Sequence, residues 1–231
     1  MLTPVLAPIN DFFGVLFNLL YPQNCLICSN KINDLKTHPI CGDCIDKIKI
    51  NPETSRIEGE TENFAFDCAF YATMYEEVVK KCICLFKYEG KTQMANPLGK
   101  LMCDFAVKSM GTDKIDMIVP VPLHPVKLRE RQFNQSELLA AHLAKKMSKS
   151  VVKDKVKRIK YTAPQTELKR DQRLKNVRGA FLVKKNADFK EKTVLLVDDV
   201  LTTGATLHEC AKALKYAGAK KVVALALARG S

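Results

Sequence analysis

The sequence predicts an α/β protein: a largely parallel sheet covered by helices on both faces, with a small cysteine-bearing module ahead of it. Three observations carry this. From about residue 65 onward, short apolar runs alternate with stretches of helical spacing. One run, residues 193–197, is apolar without alternation, as a strand buried on both faces requires. Two Cys-x-x-Cys pairs fall within residues 25–44, before any of these runs.

A chain of 231 residues suits one large domain, alone or with a small satellite. Residues 1–24 are apolar and read as helical. The longest apolar stretch, residues 9–21, is interrupted by Asn10, Asp11 and Asn18 and bracketed by Pro8 and Pro22. It is too short and broken to span a membrane, and it lacks the basic start of a secretory signal. It reads as an amphipathic helix packed on protein, with membrane-surface contact as the alternative. The expected location is cytoplasmic, with peripheral attachment at the inner face of the membrane as a variant. The nine cysteines fit a reducing compartment, where clustered thiols point to metal before disulfide.

Residues 25–44 hold the cysteine pairs. Residues 46–66 are polar, with Pro52 and Gly59, and read as the exit from the module. The expected domains are therefore 1–66 and 67–231. Residues 65–75 read as a strand. Residues 78–88 and 97–110 have helical spacing, with Gly90 and Gly111 as stops. Residues 117–121 form a short apolar strand ending in Pro-Val-Pro-Leu-His-Pro, 120–125. Residues 135–146 read as a helix, with Leu138, Leu139, His142 and Leu143 on one face. A short strand is expected within 177–184, then the buried strand 193–197, a helix over 206–217 stopped by Gly218, and a last strand over 222–228.

The strand 194–197 ends in Asp198 and Asp199, and ligands of open α/β sheets bind at such carboxyl ends. The turn Leu201, Thr202, Thr203, Gly204, Ala205, Thr206 follows and opens a helix. A helix N-terminus offers unpaired N–H groups and a partial positive charge, which suit a phosphate. Gly204 would let the backbone approach that phosphate without a Cβ. Three threonines add hydroxyl donors. Two aspartates beside a phosphate need another partner, and vicinal ribose hydroxyls, directly or through Mg²⁺, supply one. A Walker loop would carry lysine where Ala205 stands, and no Gly-x-Gly-x-x-Gly is present. A receiver domain carries its paired aspartates near its start, whereas these lie about thirty residues from the C-terminus. Helix capping by the threonines accounts for neither aspartate.

The segment resembles the signature of type I phosphoribosyltransferases. The resemblance implies that Asp198 and Asp199 meet the ribose hydroxyls of phosphoribosyl pyrophosphate, with Mg²⁺, while residues 201–206 hold its 5-phosphate.

Phosphoribosyl transfer releases pyrophosphate, so a second anion site is needed at another strand end. The strand 117–121 leads to Leu123, His124, Lys127, Arg129 and Arg131. These cations could neutralise pyrophosphate, with Arg129 and Arg131 stabilising it as it leaves. The plainer alternatives are an exposed basic turn and, for His124, a structural turn residue. A third segment, residues 158–181, carries Gln165, Arg173 and Asn176 and is long enough for a lid; a solvated helical arm is the alternative.

Taken in order, the Cys-x-x-Cys pairs, Pro-Val-Pro-Leu-His-Pro, Arg-x-Arg-x-Phe-Asn-Gln, Gln-x-x-Leu with Arg173 and Asn176, and Val-Asp-Asp-Val-x-Thr-Thr-Gly-Ala-Thr resemble the ComF/GntX family over nearly the whole chain. The resemblance implies a type I phosphoribosyltransferase-like sheet with an N-terminal zinc ribbon. It also implies a link to natural transformation and uptake of single-stranded DNA, with a competence helicase or other uptake proteins as partners. The chain departs from the family at Gln132, where glycine is usual; a positive φ there would fit glutamine poorly.

Cys25, Cys28, Cys41 and Cys44 offer four thiolates in two close pairs, the donor set of a structural tetrahedral zinc site. Free buried cysteines or a redox pair are the alternatives. Catalytic zinc is not expected, because four thiolates leave no open position. Cys68, Cys82, Cys84, Cys103 and Cys210 sit in apolar patterns and read as buried hydrophobes.

Charge is unevenly placed. Residues 125–192 carry 20 Lys+Arg against 7 Asp+Glu, and the rest of the chain 17 against 18. Such a field attracts polyanions; a solvated lysine-rich surface is the alternative. Two functions follow. One is an enzyme transferring phosphoribosyl to an acceptor the sequence does not name, in DNA uptake or in nucleotide metabolism or salvage. The other is a non-enzymatic DNA-handling adaptor.

Overall fold

The computed structural model describes residues 23–32, 39–51, 56–60, 63–162 and 176–230. The expectations for residues 1–22, Gln165 and Arg173 lie outside them. The chain forms two compact units, Met1–Ile48 and Lys49–Ser231.

In the first unit, a tight turn brings the Ser29 N–H onto the Cys25 carbonyl over 2.8 Å, and Asn24 bridges Lys31. A short helix, α1 (Gly42–Asp46), starts at Cys41 and buries Cys44.

The second unit begins earlier than the expected boundary near residue 66. A three-residue strand, β1 (Arg56–Glu58), pairs antiparallel with β2 (Cys68–Met74), and Phe66 is buried in the core. The polar stretch read as an exit thus edges the sheet.

Six strands lie in the order β1-β2-β8-β7-β3-β4, where β3 is Met117–Pro120, β4 is Ser150–Val151, β7 is Thr193–Leu201 and β8 is Lys221–Arg229. All neighbours but β1 and β2 are parallel. A separate antiparallel pair joins β5 (Val156–Arg158) to β6 (Phe181–Val183). The helices are α2 (Glu77–Tyr88), α3 (Ala95–Ser109), α4 (Pro125–Arg131), α5 (Gln135–Met147) and α6 (Ala205–Tyr216).

Helical periodicity accounts for α2, which buries Val79, Cys82, Ile83, Leu85 and Phe86. It also accounts for α3, which buries Leu98, Met102, Phe105 and Ala106. The helices α3 and α5 pack closely: a Cβ on Gly99 would lie 2.6 Å from the His142 ring. Along β7, Val194 and Leu196 join Leu207, Cys210, Ala211 and Leu214 of α6 in one core. Leu195 and Val197 alternate to the opposite face and are equally buried, so both faces of the central strand are covered.

Three differences matter for the site. The central strand runs to Leu201, beyond the expected 197, because β8 continues to pair with it as far as Arg229. Residues 125–131, to which the sequence reading assigned no element, are a helix. The short strands β4 and β5 lie in a lysine-rich segment without strand patterning, and pairing with β3 and β6 creates them. Among the described residues, no helix is long and apolar enough to cross a membrane.

Candidate functional site

The connection from β7 runs through α6 to β8 on one side. That from β3 runs through α4 and α5 to β4 on the other. Where adjacent strands diverge in this way, their carboxyl ends leave a crevice. A cavity of about 260 Å³ lies there, lined by Tyr75, Lys87, Tyr88, the 121–135 segment, Arg158, Thr162, Asp198, Asp199 and the turn after β7.

Asp198 and Asp199 are both buried in its floor. The Asp198 carboxylate Oδ1 accepts the Ser136 hydroxyl over 3.0 Å and the Asp199 N–H over 2.9 Å. Burial and then the neighbouring Asp199 charge push Asp198 up to about 7; Lys87 and the two hydrogen bonds pull against this. Asp199 meets Lys87, whose Nζ lies 2.7 Å from its Oδ2.

After the strand, Thr202 and Thr206 line the cavity. Thr203 does not, and its Oγ1 is buried without a hydrogen-bond partner. Leu201, Gly204 and Ala205 are buried beneath the turn. Gly204 precedes α6 with φ +76°, and a Cβ there would lie 2.8 Å from Phe64 Cζ. Phe64 thus fills the space a side chain at 204 would take, and the left-handed backbone independently favours glycine.

At the end of β3, Leu123, His124, Lys127 and Arg131 line the cavity. His124 caps α4, its Nδ1 accepting the Val126 N–H over 3.3 Å, and its ring meets Tyr161 edge-on. It therefore fills the structural turn role while still facing the cavity. Lys127 pairs with Glu130 over 2.8 Å. Arg131 donates to Gln135 Oε1 over 2.6 Å and lies 5.6 Å from the Tyr88 ring centre. Lys127 and Arg131 are four residues apart and share a helix face. Arg129, between them, is exposed and does not line the cavity. The helix thereby separates Arg129 from Arg131.

Gln132 ends α4 in the left-handed region, φ +66°. The position does require positive φ, and glutamine adopts it while exposed. Asn134 then caps α5, accepting the Ser136 N–H and donating to the Val121 carbonyl, each over 3.0 Å. Asn176 is half-buried and is not among the cavity-lining residues.

Several residues around the acids were not among the site residues read from the sequence. Lys87 and Tyr88 close a helix whose spacing spoke only of core packing. Ser136 stood inside another helix. Arg158, which donates to the Thr162 hydroxyl, opened the segment read as long enough for a lid but was given no part beside the acids. A larger cavity, about 610 Å³ between β6 and α6, holds neither aspartate and none of the threonine turn.

In the first unit, the sulfurs of Cys25, Cys28, Cys41 and Cys44 all lie within 4.8 Å of one another. Tetrahedral zinc with bonds near 2.3 Å places its sulfurs about 3.8 Å apart, so the four thiols fit that ion. The N–H groups of Ile27 and Cys41 reach the Cys25 sulfur over 3.4 and 3.3 Å. Burial alone would raise this thiol, but such N–H groups hold it down to about 6. Of the remaining cysteines, Cys68, Cys82, Cys103 and Cys210 are buried and Cys84 is half-buried.

Residues 134–231 match the phosphoribosyl transferase domain. Competence protein F of Haemophilus influenzae is 29% identical over 208 residues, 88% of this chain and 90% of that protein. DNA utilization protein YhgH of Salmonella typhimurium is 32% identical over 146 residues, 62% of this chain and 63% of that protein. Competence protein ComFC of Bacillus subtilis is 29% identical over 146 residues, 62% and 56% of the respective chains. The latter two matches span less than two thirds of those relatives' own length.

The acid pair, the threonine turn and the strands β7 and β8 thus lie in the stretch that matches a phosphoribosyl transferase domain. Within that class, the chain is similar to competence protein F over most of its length, and to YhgH and ComFC over a shorter stretch.

Proposed function

We propose that the cleft binds phosphoribosyl pyrophosphate together with Mg²⁺, and that the protein serves the handling of single-stranded DNA in natural transformation. One observation carries the ligand: four cations, Lys87, Lys127, Arg131 and Arg158, surround two buried aspartates and two threonine hydroxyls in a single cavity. Excess positive charge suits a polyphosphate, and the acids suit ribose hydroxyls, which no simple phosphate carries. The carboxylate oxygens are hard donors of the kind Mg²⁺ takes, one or two at a time, alongside substrate phosphates.

In the transfer reaction, the bond from ribose C1 to the pyrophosphate oxygen breaks and its electron pair leaves with pyrophosphate. An acceptor nucleophile forms the new bond to C1. Bound Mg²⁺ would neutralise phosphate charge. Lys127 and Arg131, on one face of α4, would stabilise the departing pyrophosphate. Asp198 and Asp199 would orient the ribose, with Ser136 holding Asp198 in place. Thr202, Thr206 and the start of α6 would hold the 5-phosphate.

Isothermal titration of the zinc-loaded protein with phosphoribosyl pyrophosphate and Mg²⁺ tests the reading. Saturable binding is expected, and it should disappear in Asp198→Asn/Asp199→Asn. No heat from the wild type at millimolar ligand would overturn it.

A second reading, a DNA-handling adaptor without turnover, is favoured by the basic 125–192 segment and by the names of the relatives. It expects single-strand affinity that falls steeply with salt. Fluorescence anisotropy with a labelled oligonucleotide at two salt concentrations decides it, since absence of binding at low salt excludes direct contact.

A further inference from the structure

The cleft contains its own counter-ion. Lys87 projects from the last turn of α2, and its ammonium sits 2.7 Å from Asp199 Oδ2. The two side chains are only 18% and 5% exposed, so the pair is shielded from competing water and salt. The other acid is engaged differently: Asp198 Oδ1 takes the Ser136 hydroxyl and a backbone N–H, neither of which brings a full charge. Among the described residues, Lys87 thus supplies the one direct cation on the acid pair. It also lines the same cavity as Lys127, Arg131 and Arg158.

A lysine differs from an arginine here. It is a compact point charge on a flexible stem, able to turn from one partner to another. A divalent cation approaching Asp199 at Oδ2 would have to take the position Lys87 holds. It would then face a displaced ammonium in a cleft already rich in positive charge. An entering anion removes that obstacle, because it gives the ammonium a new partner.

We infer that Lys87 is an exchangeable counter-ion that makes occupation of Asp199 by a divalent cation conditional on a phosphorylated ligand. The inference rests on the reading that the cleft takes phosphoribosyl pyrophosphate with a divalent metal. Lys87 is a positioning residue in this scheme. Its consequence is thermodynamic coupling: metal and anion each strengthen the binding of the other, as linkage requires.

The test uses full-length, zinc-loaded protein and Mn²⁺ as the metal, followed by electron paramagnetic resonance, with circular dichroism as the folding control. Mn²⁺ is titrated alone and with phosphoribosyl pyrophosphate into wild type, Lys87→Met, Lys87→Arg and Lys87→Met/Asp199→Asn. The wild type should bind Mn²⁺ poorly alone and much better with the anion. Lys87→Met should bind Mn²⁺ alone about ten-fold or more tightly than the wild type, with the enhancement by the anion largely lost. Lys87→Arg should preserve the wild-type pattern. The double variant should lose the gained Mn²⁺ site, assigning it to Asp199. Equal binding of Mn²⁺ alone by wild type and Lys87→Met overturns the inference. So does survival of the gained site in the double variant. If the wild type ignores phosphoribosyl pyrophosphate, the ligand reading fails separately, and the metal-alone comparison still decides whether Lys87 guards Asp199.

Discussion

The Ser136 hydroxyl donates to Asp198 Oδ1 over 3.0 Å, joining the first turn of α5 to the end of the central strand. The contact links two carboxyl-edge elements that sequence places 62 residues apart. Ser136 is in turn fixed by Asn134, which caps the helix through the Ser136 N–H. Ser136→Ala leaves one buried carboxylate oxygen with fewer donors. The expected loss is about 1–2 kcal/mol of stability, read by urea denaturation, together with weaker anion binding in the cleft. A change within error on both measurements would remove Ser136 from the positioning apparatus.

The raised Asp198 predicts a pH dependence of the ligand-free protein. Its folded value of about 7 lies above the ordinary 3.8, so between these limits the folded state binds more protons than the unfolded state. The stability contributed by the protonated carboxyl is complete below 3.8 and lost as pH rises through about 7. Asp198→Asn removes this titration. Calorimetry at pH 5 and pH 8 should therefore show the variant gaining on the wild type at the higher pH, by a few degrees in melting temperature. An unchanged difference between the two proteins at both pH values would contradict this origin.

Gly204 faces Phe64, and two penalties act on any larger residue: φ +76° and a Cβ only 2.8 Å from the ring. Gly204→Ala should cost about 1–3 kcal/mol. Combining it with Phe64→Leu should recover the part due to the clash and leave the part due to backbone strain, measured by a double-mutant cycle. Full additivity would mean that the ring readily moves aside.

The four-cysteine unit should carry one zinc ion per chain by metal analysis. Structural zinc supplies on the order of 10 kcal/mol of folding free energy in such modules. Cys44→Ser, or a strong chelator, should abolish the zinc and with it the hydrogen-exchange protection of residues 23–32 and 39–48. Protection of the central strand β7 should persist, because that strand lies in the other compact unit. Retained protection without metal would show that the unit folds on its own core.

Local pattern made much of this architecture legible. A strand buried on both faces has to be apolar throughout, so β7 and β8 could be read directly, and helices with one buried face repeat their apolar residues at helical spacing. The motif 194–206 was legible because its chemistry is contiguous: acids, hydroxyls, glycine and a helix start follow one another along the chain. The cysteine pairs were legible for the same reason.

Other features depend on contacts between distant segments. The 125–131 stretch shows no helical spacing in the sequence because its cations outweigh its few apolar residues, yet Pro125 at its first position and the His124 cap make it a helix that turns Arg129 away from Arg131. β1 pairs with β2, and the second compact unit begins at Lys49.

The sequence by itself marked the acid pair with its threonine turn and the four cysteines, since both sets are written in short runs whose spacing is their geometry. Only the tertiary structure decided what surrounds the acids. Lys87, Ser136 and Arg158 come from three separate elements, and no periodicity marks them, because their meeting is fixed by how the helices cross the carboxyl edge of the sheet. Charge and hydrogen bonding act through space at a few ångströms, so the partners of Asp198 and Asp199 became visible only once the chain had brought them there.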